Sequence, residues 1–548
     1  MTALPTRLRD ETFRWLADDF DPAAQAELQG VLAMAMTGDD AAVADLTDRM
    51  SGPLTFGTAG LRGPVRAGRN GMNRAVVVRT TAGVAEWLAA HGNAGRTVVI
   101  GRDARHGSED FHADAADVLA AAGFDVRVLP EPLPTPVLAF AVRQLGAVAG
   151  IQVTASHNPP ADNGYKLYDQ TGGQIVPPTD REVEAAIAGV PAAVQVQRAR
   201  TWTTVGPELV EAYLDRIAGL PRGTARELRI VLTPMHGVGG ATAVAALQRA
   251  GFTDVRVVRS QAVPDADFPT VTFPNPEEPG ATDQLLALAA ECDADLAVAL
   301  DPDADRCAIG IPDTDGWRML RGDQTGSLLG AYVLSTLDRT VTPDPLVATT
   351  IVSSQLLHAI ATAHGARYAE TLTGFKWLVR SGDGLVFAYE EALGLCVDPG
   401  GVRDKDGISA TVAAADLVAT AKAAGRSVRD LLDAMAVAHG VHLTDQVSPR
   451  FDDLREIGAL MAKLRASPPT TLAGGPVRTE DLLPDADVFR LRGDGLRVVV
   501  RPSGTEPKLK AYLEIIEAVD QPAELADATA RATDRLATLR ADVTALLS

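Results

Sequence analysis

The chain has 548 residues, which at roughly 150 residues per domain favours three or four domains. Its 71 acidic and 51 basic side chains give a formal net charge of −20, so we expect neither nucleic acid nor an anionic membrane surface as a partner. Hydrophobic residues make up 46% of the sequence and charged residues 22%, which excludes a disordered chain and is typical of packed domains.

Hydrophobic periodicity predicts strands and helices that alternate over most of the chain. Residues 8–50 are predicted to form Ala-rich acidic helices. A first alternating unit follows, with elements at Thr97–Ile100, Asp110–Ala122, Phe124–Leu129, Val137–Gln144 and Ala147–Thr154. The alternation of strands with helices predicts parallel α/β layers.

The same pattern restarts twice and then changes. A second unit is predicted at Leu228–Leu232, Ala241–Ala250, Val255–Val258, Thr282–Ala290 and Ala294–Leu300. A third begins after a helix near Asp323–Leu337 and is predicted at Leu346–Val352, Gln355–His364, Leu385–Tyr389 and Ile408–Ala424. After Gly440 three strands and one long helix predict a smaller α+β domain, with the strands at Val488–Leu491, Leu496–Arg501 and Leu509–Ile515.

A serine and a histidine follow the last strand of the first unit. Ser156 and His157 come directly after apolar residues, and Pro159-Pro160 prevents a helix at this point. Because open α/β sheets bind ligands at the carboxyl ends of strands, a hydroxyl here is suited to nucleophilic work. The alternative is an ordinary turn of small polar residues, and we expect adjacent residues only seldom to form a Ser–His proton relay.

Three carboxylates follow the last strand of the second unit at alternate positions. Asp301, Asp303 and Asp305 would repel one another unless a cation lay among them, and such hard oxygen ligands suit Mg²⁺. An EF-hand is excluded, because Arg306 stands where its turn needs Gly and Pro312 where its bidentate Glu belongs. The alternative, a solvated acidic turn, does not explain why the carboxylates follow an apolar strand so closely.

A turn between two predicted strands near the C-terminus carries groups that bind phosphate. They are a guanidinium, two hydroxyls, a flexible glycine and lysines, at Arg501, Ser503, Gly504, Thr505, Lys508 and Lys510. Such a set can hold a phosphate through a bidentate guanidinium, hydroxyls and backbone N–H groups. A polar hairpin loop is the alternative.

Three further segments indicate little by themselves. Thr373–Trp377 opens a helix and Tyr389–Gly394 follows a strand, but Glu pairs in loops are usually solvated. His236–Gly240 follows a strand and opens a helix, as a dinucleotide fingerprint does. Thr242 takes the third glycine position of that fingerprint, and no acidic residue ends the next strand, so a nicotinamide site is not expected.

The cysteines and the N-terminus bear on the compartment. Cys292, Cys307 and Cys396 are scattered and odd in number, which excludes a disulfide framework or a CxxC zinc site. The first fifteen residues carry charges and lack the apolar segment of a signal peptide, and no uncharged apolar run approaches the ~20 residues of a membrane span. We therefore expect a cytoplasmic location.

Taken together, these segments resemble the α-D-phosphohexomutases, the phosphoglucomutase/phosphomannomutase superfamily, from about residue 50 to the end of the chain. The matching pieces follow the family's order: Phe56–Gly63, Thr154–Pro159, Asp301–Arg306, Thr373–Trp377, Glu390–Gly394 and Arg501–Thr505. They resemble its arginine loop, phosphoserine loop, metal loop, two sugar-selecting loops and phosphate-binding loop. Asp404–Gly407 and the form of Phe56–Gly63 resemble the branch of phosphopentomutase/phosphoglucomutase-type enzymes.

The resemblance implies three related mixed α/β domains and a smaller C-terminal α+β domain around a central cleft. The first domain, 1–205, would include the N-terminal helices and the phosphoserine loop, and the second, 206–320, the metal loop. The third, 321–440, would carry the sugar-selecting loops, and the fourth, 441–548, the phosphate-binding loop.

The resemblance also assigns roles to individual residues. Ser156 would be phosphorylated, and its phosphate would share one Mg²⁺ with Asp301, Asp303 and Asp305. The catalytic set is implied to comprise Ser156, His157, Arg62 and Lys166. Sugar and phosphate contacts are implied for Arg306, Thr373, Gly374, Lys376, Glu390, Lys405, Arg501, Ser503, Gly504, Thr505 and Lys510. To act as a base Lys166 would have to be neutral, so burial or a cationic neighbour such as Arg62 is expected to lower its pKa.

The implied activity is a phosphosugar mutase that moves phosphate between the 1- and 6-positions of glucose or mannose phosphate. It would use the phosphoserine and a sugar bisphosphate that serves as intermediate and activator. A phosphopentomutase acting on ribose phosphates is the alternative, since Ala392 stands where many hexose mutases have Ser and removes a sugar-contacting hydroxyl. The sequence does not determine the oligomeric state.

Two rival functions fit these residues less well. A haloacid-dehalogenase-like phosphatase would use Asp301 as nucleophile and Asp303 as acid, but two residues beyond Asp303 it needs Thr or Val where this chain has Asp305. That function would also leave Ser156 and Arg501 without a role. A non-catalytic sugar-phosphate-binding relative would need a broken serine or metal loop, and both loops are intact.

Overall fold

The computed structural model describes residues 4–57, 60–451, 454–503 and 508–547. Contacts group the chain into two compact units, each of which contains its own sheets. The first comprises Met1–Pro221, Arg226–Met319 and Gly394–Ala415. The second comprises Arg222–Ala225, Leu320–Leu393 and Asp416–Ser548.

The α-helices follow one another along the whole chain. In its first half they are α1 (Thr6–Asp18), α2 (Pro22–Met36), α3 (Asp40–Arg49), α4 (Arg74–Ala90), α5 (Ser108–Ala121), α6 (Thr135–Gln144), α7 (Thr179–Gly189), α8 (Glu208–Ala218), α9 (Gly239–Arg249) and α10 (Asp283–Glu291). In its second half they are α11 (Gly322–Thr336), α12 (Leu356–Ala363), α13 (Phe375–Leu378), α14 (Gly407–Ala423), α15 (Val428–His439), α16 (Leu454–Ala466) and α17 (Leu525–Leu546).

The helices predicted for residues 8–50 are confirmed as α1 to α3. Asp21 and Asp39 begin α2 and α3, because each side chain accepts a hydrogen bond from a backbone N–H of the first turn. The apolar faces of these helices bury Leu28 and Leu46 in a cluster that continues onto α4. This cluster joins the N-terminal helices to α4 and α5.

The first sheet has parallel strands at its centre and antiparallel strands at one edge. It consists of β1 (Leu61–Pro64), β2 (Thr97–Arg102), β3 (Asp125–Val128), β4 (Ala149–Val153), β5 (Asp162–Asp169) and β6 (Thr203–Thr204), in the order β1-β5-β4-β2-β3-β6. β2 pairs in parallel with β3 and β4, whereas β5 is antiparallel to β4 and to β1. The prediction of parallel layers therefore holds at the centre and is wrong at this edge.

The antiparallel edge has a simple cause. β4 ends at Val153 and β5 begins at Asp162, and a parallel crossover needs roughly a dozen residues or more. The chain must therefore turn back directly, and the connection Thr154–Ala161, here called the serine loop, lies at the end of a buried central strand.

The second sheet of the first unit repeats this arrangement. It consists of β7 (Arg229–Thr233), β8 (Asp254–Val257), β9 (Leu296–Leu300), β10 (Cys307–Asp313) and β11 (Gly316–Met319), in the order β11-β10-β9-β7-β8. β9 is parallel to β7 and antiparallel to β10, and all of its residues are apolar and buried. The short connection Asp301–Arg306, here called the aspartate loop, again leaves a buried central strand.

The second unit contains a small parallel sheet and a larger antiparallel one. The parallel sheet is built from β12 (Leu346–Thr350), β13 (Arg367–Thr371) and β14 (Leu385–Glu390), while β15 (Gly394–Cys396) belongs to the first unit, where Gly394 bridges Arg306. The last sheet consists of β16 (Val441–Val447), β17 (Thr471–Leu472), β18 (Gly475–Asp481), β19 (Phe489–Gly493), β20 (Leu496–Pro502) and β21 (Leu509–Glu517). It shares its core with α16 and α17, which confirms the predicted C-terminal α+β domain.

Candidate functional site

The serine loop holds Ser156 in an unusual backbone conformation. Its φ is 53°, and its N–H donates to the Thr154 hydroxyl at 2.9 Å. A residue other than Gly pays about 1–3 kcal/mol for this left-handed region. The Oγ of Ser156 donates to Oδ2 of Asp301 at 2.6 Å and lies 3.1 Å from Nδ1 of His157. The adjacent Ser–His contact, which sequence reasoning disfavoured, therefore does form.

The aspartate loop buries its three carboxylates together. Asp301, Asp303 and Asp305 have no solvent exposure, and one ligand oxygen of each lies within 4.8 Å of the others. The backbone N–H of Arg306 donates to Oδ1 of Asp301 at 2.9 Å, and its Nε lies 3.8 Å from Oδ1 of Asp305. The predicted serine and metal loops thus meet in one buried place.

Lys166 lies on β5 and inserts its ammonium between two of these carboxylates. Its Nζ donates to Oδ2 of Asp303 at 2.6 Å and to Oδ2 of Asp305 at 2.8 Å. Thr135, at the start of α6, donates its hydroxyl to the same Oδ2 of Asp303 at 2.6 Å. Sequence reasoning missed Thr135, because a threonine at a helix start carries no signal of a distant partner.

Lys405 enters the same cluster from the segment that precedes α14. Its Nζ lies 3.2 Å from Oδ2 of Asp305 and 3.7 Å from Oδ1 of Asp404. Asp404 is itself held by Tyr168 and Gln174, each of which donates to its Oδ2 at 2.8 Å. Lys405 was predicted as a substrate contact, and the structure brings it to the carboxylates.

Because the three carboxylates lie close together, their pKa values shift in different directions. Burial, and then repulsion from Asp303 and Asp305, raises the pKa of Asp301 well above its usual range. Burial also opposes the ionised forms of Asp303 and Asp305. The pKa of both is nevertheless lowered, at Asp303 by Lys166 together with Thr135 and at Asp305 by Lys166 together with Lys405 and Arg306. The three carboxylates are therefore inequivalent before any ligand arrives.

The expected direction for Lys166 was wrong. Burial does act to lower the pKa of Lys166, and Arg62 and Lys405 act in the same direction. The carboxylates of Asp303 and Asp305 outweigh these effects and raise the pKa, so the side chain keeps its proton.

Two other predicted catalytic residues lie around the serine loop. Burial, and then the positive charges of Arg306 and Arg62, lowers the pKa of His157 well below its usual range, which leaves its ring neutral. Arg62 is on β1, and its Nη1 donates to Oδ1 of Asn158 at 2.9 Å. Burial lowers the pKa of Arg62 as well. Thr58 and Ala59, from the segment that resembles the arginine loop, lie outside the described residues.

Two oxygens of the carboxylate cluster are available to bind a cation. Oδ1 of Asp303 and Oδ1 of Asp305 are buried and have no hydrogen-bond partner among the described residues. Buried carboxylate oxygens normally have a partner, and their hard, anionic character suits Mg²⁺. The residues that are present therefore fit the predicted ion.

The glycines of His236–Gly240 have a packing role beneath the aspartate loop. A Cβ on Gly237 would lie 2.4 Å from Cα of Pro302, and a Cβ on Gly239 would lie 2.5 Å from Cβ of Ala304. Val238 also donates its N–H to the carbonyl of Pro302 at 2.8 Å. The glycine motif thus allows close approach of the loop that carries the carboxylates.

The remaining predicted residues lie in the second unit. Thr373 precedes α13, and Gly374 begins that helix with a φ of 114°. The ammonium of Lys376 lies 5.9 Å from the centre of the Trp377 ring. This positive φ explains the glycine of the segment, because residues with a Cβ rarely adopt it.

Two adjacent glutamates end the last strand of the parallel sheet. Glu390 is the final residue of β14 and is half-buried. Glu391 accepts hydrogen bonds from the hydroxyls of Thr350 at 3.2 Å and Ser353 at 3.0 Å, and burial raises its pKa. Glu391 therefore braces the strand end, which sequence reasoning, expecting a solvated pair, did not foresee.

The predicted phosphate-binding turn connects β20 and β21. Arg501 faces Lys510 in the strand register, and Ser503 donates its N–H to the carbonyl of Lys508 at 2.8 Å. Tyr512 on β21 hydrogen-bonds with Arg501, and burial and the nearby Glu391 raise its pKa. Sequence reasoning missed Tyr512. The other members of the turn, Gly504 and Thr505, lie outside the described residues.

Two observations concern the whole described chain. None of the helices in the described residues has both the length and the apolar character that a membrane span requires. The three cysteines are free, and Cys307 and Cys396 are buried.

The chain matches the phosphoglucomutase/phosphomannomutase family in four successive segments. Alpha/beta/alpha domains I, II and III match residues 53–192, 211–314 and 321–438, and the C-terminal domain matches residues 451–532. The domain boundaries inferred from the sequence stay predictions.

Individual proteins are similar over most of their length. A probable phosphomannomutase from Haemophilus influenzae is 42% identical over 81% of this chain and 93% of its own. A probable phosphoribomutase from Schizosaccharomyces pombe is 33% identical over 86% of this chain and 88% of its own. The crystal structure of a putative phosphomannomutase from Thermus thermophilus superposes with a TM-score of 0.68 at 25% identity, and covers 89% of this chain and 100% of that one.

Proposed function

The chain belongs to the phosphoglucomutase/phosphomannomutase family and is a mutase, and from this we propose that it moves phosphate between the 1- and 6-positions of a hexose. The proposed substrates are glucose and mannose phosphates. The proposed route passes through a phosphoserine at Ser156 and a sugar bisphosphate. A cytoplasmic location stays a prediction.

The observation that carries the proposal is the contact between Ser156 and the carboxylate cluster. A buried hydroxyl lies 2.6 Å from Asp301, beside two carboxylate oxygens that have no hydrogen-bond partner among the described residues. Asp301, Asp303 and Asp305 would hold Mg²⁺ together with an oxygen of the phosphorylated serine. When bound there, the ion supplies charge stabilisation for the phosphoryl oxygens.

In the first half-reaction, a sugar hydroxyl oxygen forms a bond to the phosphorus while the bond from phosphorus to Ser156 Oγ breaks. The hydroxyl loses its proton and Oγ gains one, so the serine is regenerated. In the second half-reaction Oγ loses this proton and forms a bond to the phosphorus of the other phosphate of the bisphosphate. The bond from that phosphorus to the sugar oxygen breaks, and the sugar oxygen gains a proton. Phosphoryl transfer of this kind depends on positioning and charge more than on covalent help.

The protonation directions support distinct roles for the neighbouring side chains. The neutral ring of His157, 3.1 Å from Oγ, supports a role in holding the proton that Oγ exchanges. Lys166 keeps its proton, which supports electrostatic stabilisation of the transferring phosphoryl group rather than the neutral base expected from the sequence. Arg62, which contacts Asn158 of the serine loop, is proposed to assist the proton transfer.

The pentose alternative is supported by a residue near Glu390 and by relatives with pentose-mutase names. Ala392 provides no hydroxyl beside Glu390, and a relative named as a probable phosphoribomutase is 33% identical. A site that makes no contact with a substrate group tolerates substrates that differ at that group. A site whose buried polar group would be left unpaired by a substrate disfavours that substrate. We therefore propose a permissive site that accepts hexose phosphates and also ribose phosphates.

The test begins with the phosphate itself. Intact-mass measurement of the purified protein should find one phosphate, and peptide mapping should place it on Ser156. Ser156→Ala should lose roughly 10⁴-fold or more in turnover while it keeps its fold, because the nucleophile is removed. Ser51→Ala, at an exposed serine of the same unit, should be fully active. Full activity of Ser156→Ala, or a phosphate lost in mild alkali as an acyl phosphate of Asp301 would be, contradicts the proposal.

A further inference from the structure

One buried arginine outside the predicted site holds the backbone of the serine loop. Arg105 lies between β2 and α5, and its side chain is 1% exposed. Its Nη2 donates to the carbonyls of Ser156 and Asn158, both at 2.6 Å. Its Nη1 donates to the carbonyls of Pro159 at 2.8 Å and Asp162 at 3.0 Å. One guanidinium thus binds three carbonyl groups of the serine loop and that of Asp162, the first residue of β5.

The serine loop needs such support. Ser156 has a φ of 53°, a conformation that carries a cost for any residue with a Cβ. Pro159-Pro160 cannot supply backbone N–H groups that would tie the loop into a strand ladder. Fixed bonds from outside the loop are therefore required to keep Ser156 Oγ at 2.6 Å from Asp301.

Arg105 is itself held from two sides. Oδ2 of Asp103 lies 3.5 Å from Nε of Arg105. Oδ1 of Asp103 accepts hydrogen bonds from the backbone N–H of Arg105 at 3.0 Å and from the hydroxyl of Ser108 at 2.6 Å. The ring of Phe268 packs 5.0 Å from the guanidinium carbon. These contacts hold the guanidinium plane in addition to the bonds with the loop carbonyls.

We propose that Arg105 is a positioning residue for phosphoryl transfer, which holds the backbone of Ser156 so that its Oγ faces Asp301. The inference rests on the proposed function of Ser156. Its contacts with the loop are to backbone carbonyls, so its effect reaches the reaction through Ser156. Lysine cannot replace it, because an ammonium offers three donors from one point, whereas the guanidinium offers five in a rigid plane.

Arg105→Lys is the main variant, and Arg74→Lys is its matched control. Arg74 is also a partly buried arginine of the first unit, and it binds the carboxylate of Asp114 at 2.7 and 2.9 Å. For Arg105→Lys we expect kcat to fall about 100-fold with KM changed less than about two-fold, the effect of a misplaced reacting atom. The phosphorus chemical shift of the phosphoserine should also move. Arg74→Lys should lower Tm and leave kcat and the chemical shift unchanged.

A second variant guards against a failure of Arg105→Lys to fold. Asp103→Asn keeps the side-chain shape but removes the charge opposite Arg105. We expect a fall in kcat of about five-fold with unchanged KM, from a weakened charged contact. A raised KM with unchanged kcat in Asp103→Asn, or a kcat within about two-fold of native in Arg105→Lys, overturns the inference. An equal loss of kcat in Arg74→Lys overturns it too, because the role would then be merely structural.

The outcome is separable from that of the proposed function. If the native protein carries no phosphate on Ser156 and Ser156→Ala remains active, the proposed function fails and Arg105 loses its role with it. If the native protein carries the phosphate but Arg105→Lys transfers it at the native rate, the positioning inference alone fails.

Discussion

Two buried charge clusters, one in each unit, are built on opposite principles. In the first unit the carboxylate cluster consists of Asp301, Asp303 and Asp305 with Lys166 between two of them. In the second unit the Glu514 cluster consists of one carboxylate and the groups around it. Ser354, Gln355 and His442 contact its Oε1 at 2.6 to 3.0 Å, and Gln355 and Arg497 contact its Oε2 at 3.2 and 2.9 Å.

The difference lies in what each cluster leaves unsatisfied. Both oxygens of Glu514 have partners, and although burial acts to raise its pKa, Arg497 and His442 lower it to about 2. In the carboxylate cluster two buried oxygens have no hydrogen-bond partner among the described residues, and the pKa of Asp301 is raised. A buried charge that is completely bonded serves the architecture, whereas one left incomplete is available to a ligand.

The largest effect is expected in the carboxylate cluster, where two oxygens have no hydrogen-bond partner among the described residues. Asp301→Asn should reduce turnover about 10²- to 10³-fold and weaken the Mg²⁺ dependence, because a ligand charge is lost while the shape is kept. The Tm of the metal-free protein should stay equal or rise, since burial and the neighbouring Asp303 and Asp305 already oppose a charge on Asp301. Steady-state assays across Mg²⁺ concentrations and thermal unfolding in a chelator measure the two effects.

The control for this prediction is Asp254→Asn, at a partly exposed ion pair with Arg229 in the same unit. It should leave activity unchanged. Native activity that a chelator does not diminish would show that the cluster serves no cation.

The complete cluster should respond in stability instead. Glu514→Gln should lower the free energy of unfolding by about 3 kcal/mol, because the buried Arg497 loses the charge at 2.9 Å from its Nη2 and keeps, among the described carboxylates, only Glu370, 3.3 Å from its Nη1. The folded pKa of Glu514, about 2, lies below its usual value of 4.5, so its stabilisation is present above pH 4.5 and is lost as pH falls towards 2. Urea titrations of native protein and variant at several pH values should show this dependence weakened in the variant.

Glu480→Gln serves as the comparison in the same unit, since Glu480 is half exposed in its pair with Arg490. Its effect should stay below about 1 kcal/mol. A Glu514→Gln protein as stable as the native one would break the distinction between the two clusters.

The smallest effect is expected in sugar selectivity. Ala392→Ser restores one hydroxyl and should sharpen hexose over pentose preference by about 1 kcal/mol, or roughly five-fold. The measurement compares kcat/KM for glucose 1-phosphate and ribose 1-phosphate in the native protein and in the variant. Glu390→Ala should instead lower both values together, because it removes a charged acceptor for sugar hydroxyls. An unchanged ratio in Ala392→Ser would show that selectivity depends on residues elsewhere, such as Arg501.

Much of the fold was predictable because apolar runs report burial directly. β9 is entirely apolar and β4 is apolar apart from Gln152, and the polar residues that follow them, Ser156 and Asp301 among them, are predicted as site residues for that reason. β5 was not predicted, because Asp162–Asp169 is a buried strand of mixed polar sequence. Its burial depends on partners from distant segments, which no local pattern records.

The same limit applies to residues that support the site. Thr135, Arg105 and Glu391 have no local signature, because their partners lie far away in sequence: a carboxylate for Thr135, backbone carbonyls for Arg105 and hydroxyls for Glu391. The glycines of His236–Gly240 gave a misleading signal. Their spacing resembles a nucleotide motif, but their role is the close approach of Pro302 and Ala304.

By itself, the sequence determined which side chains directly follow which buried strands. It therefore indicated a site that combines a hydroxyl with hard oxygen ligands. Only the tertiary structure decided how the charges pair. Ser156 meets Asp301 across 145 positions of the chain, and Lys166 meets Asp303 across 137. The direction of the Lys166 pKa was mispredicted for this reason: burial is readable from a local pattern, but Coulomb energies depend on distances between side chains that only the fold brings together.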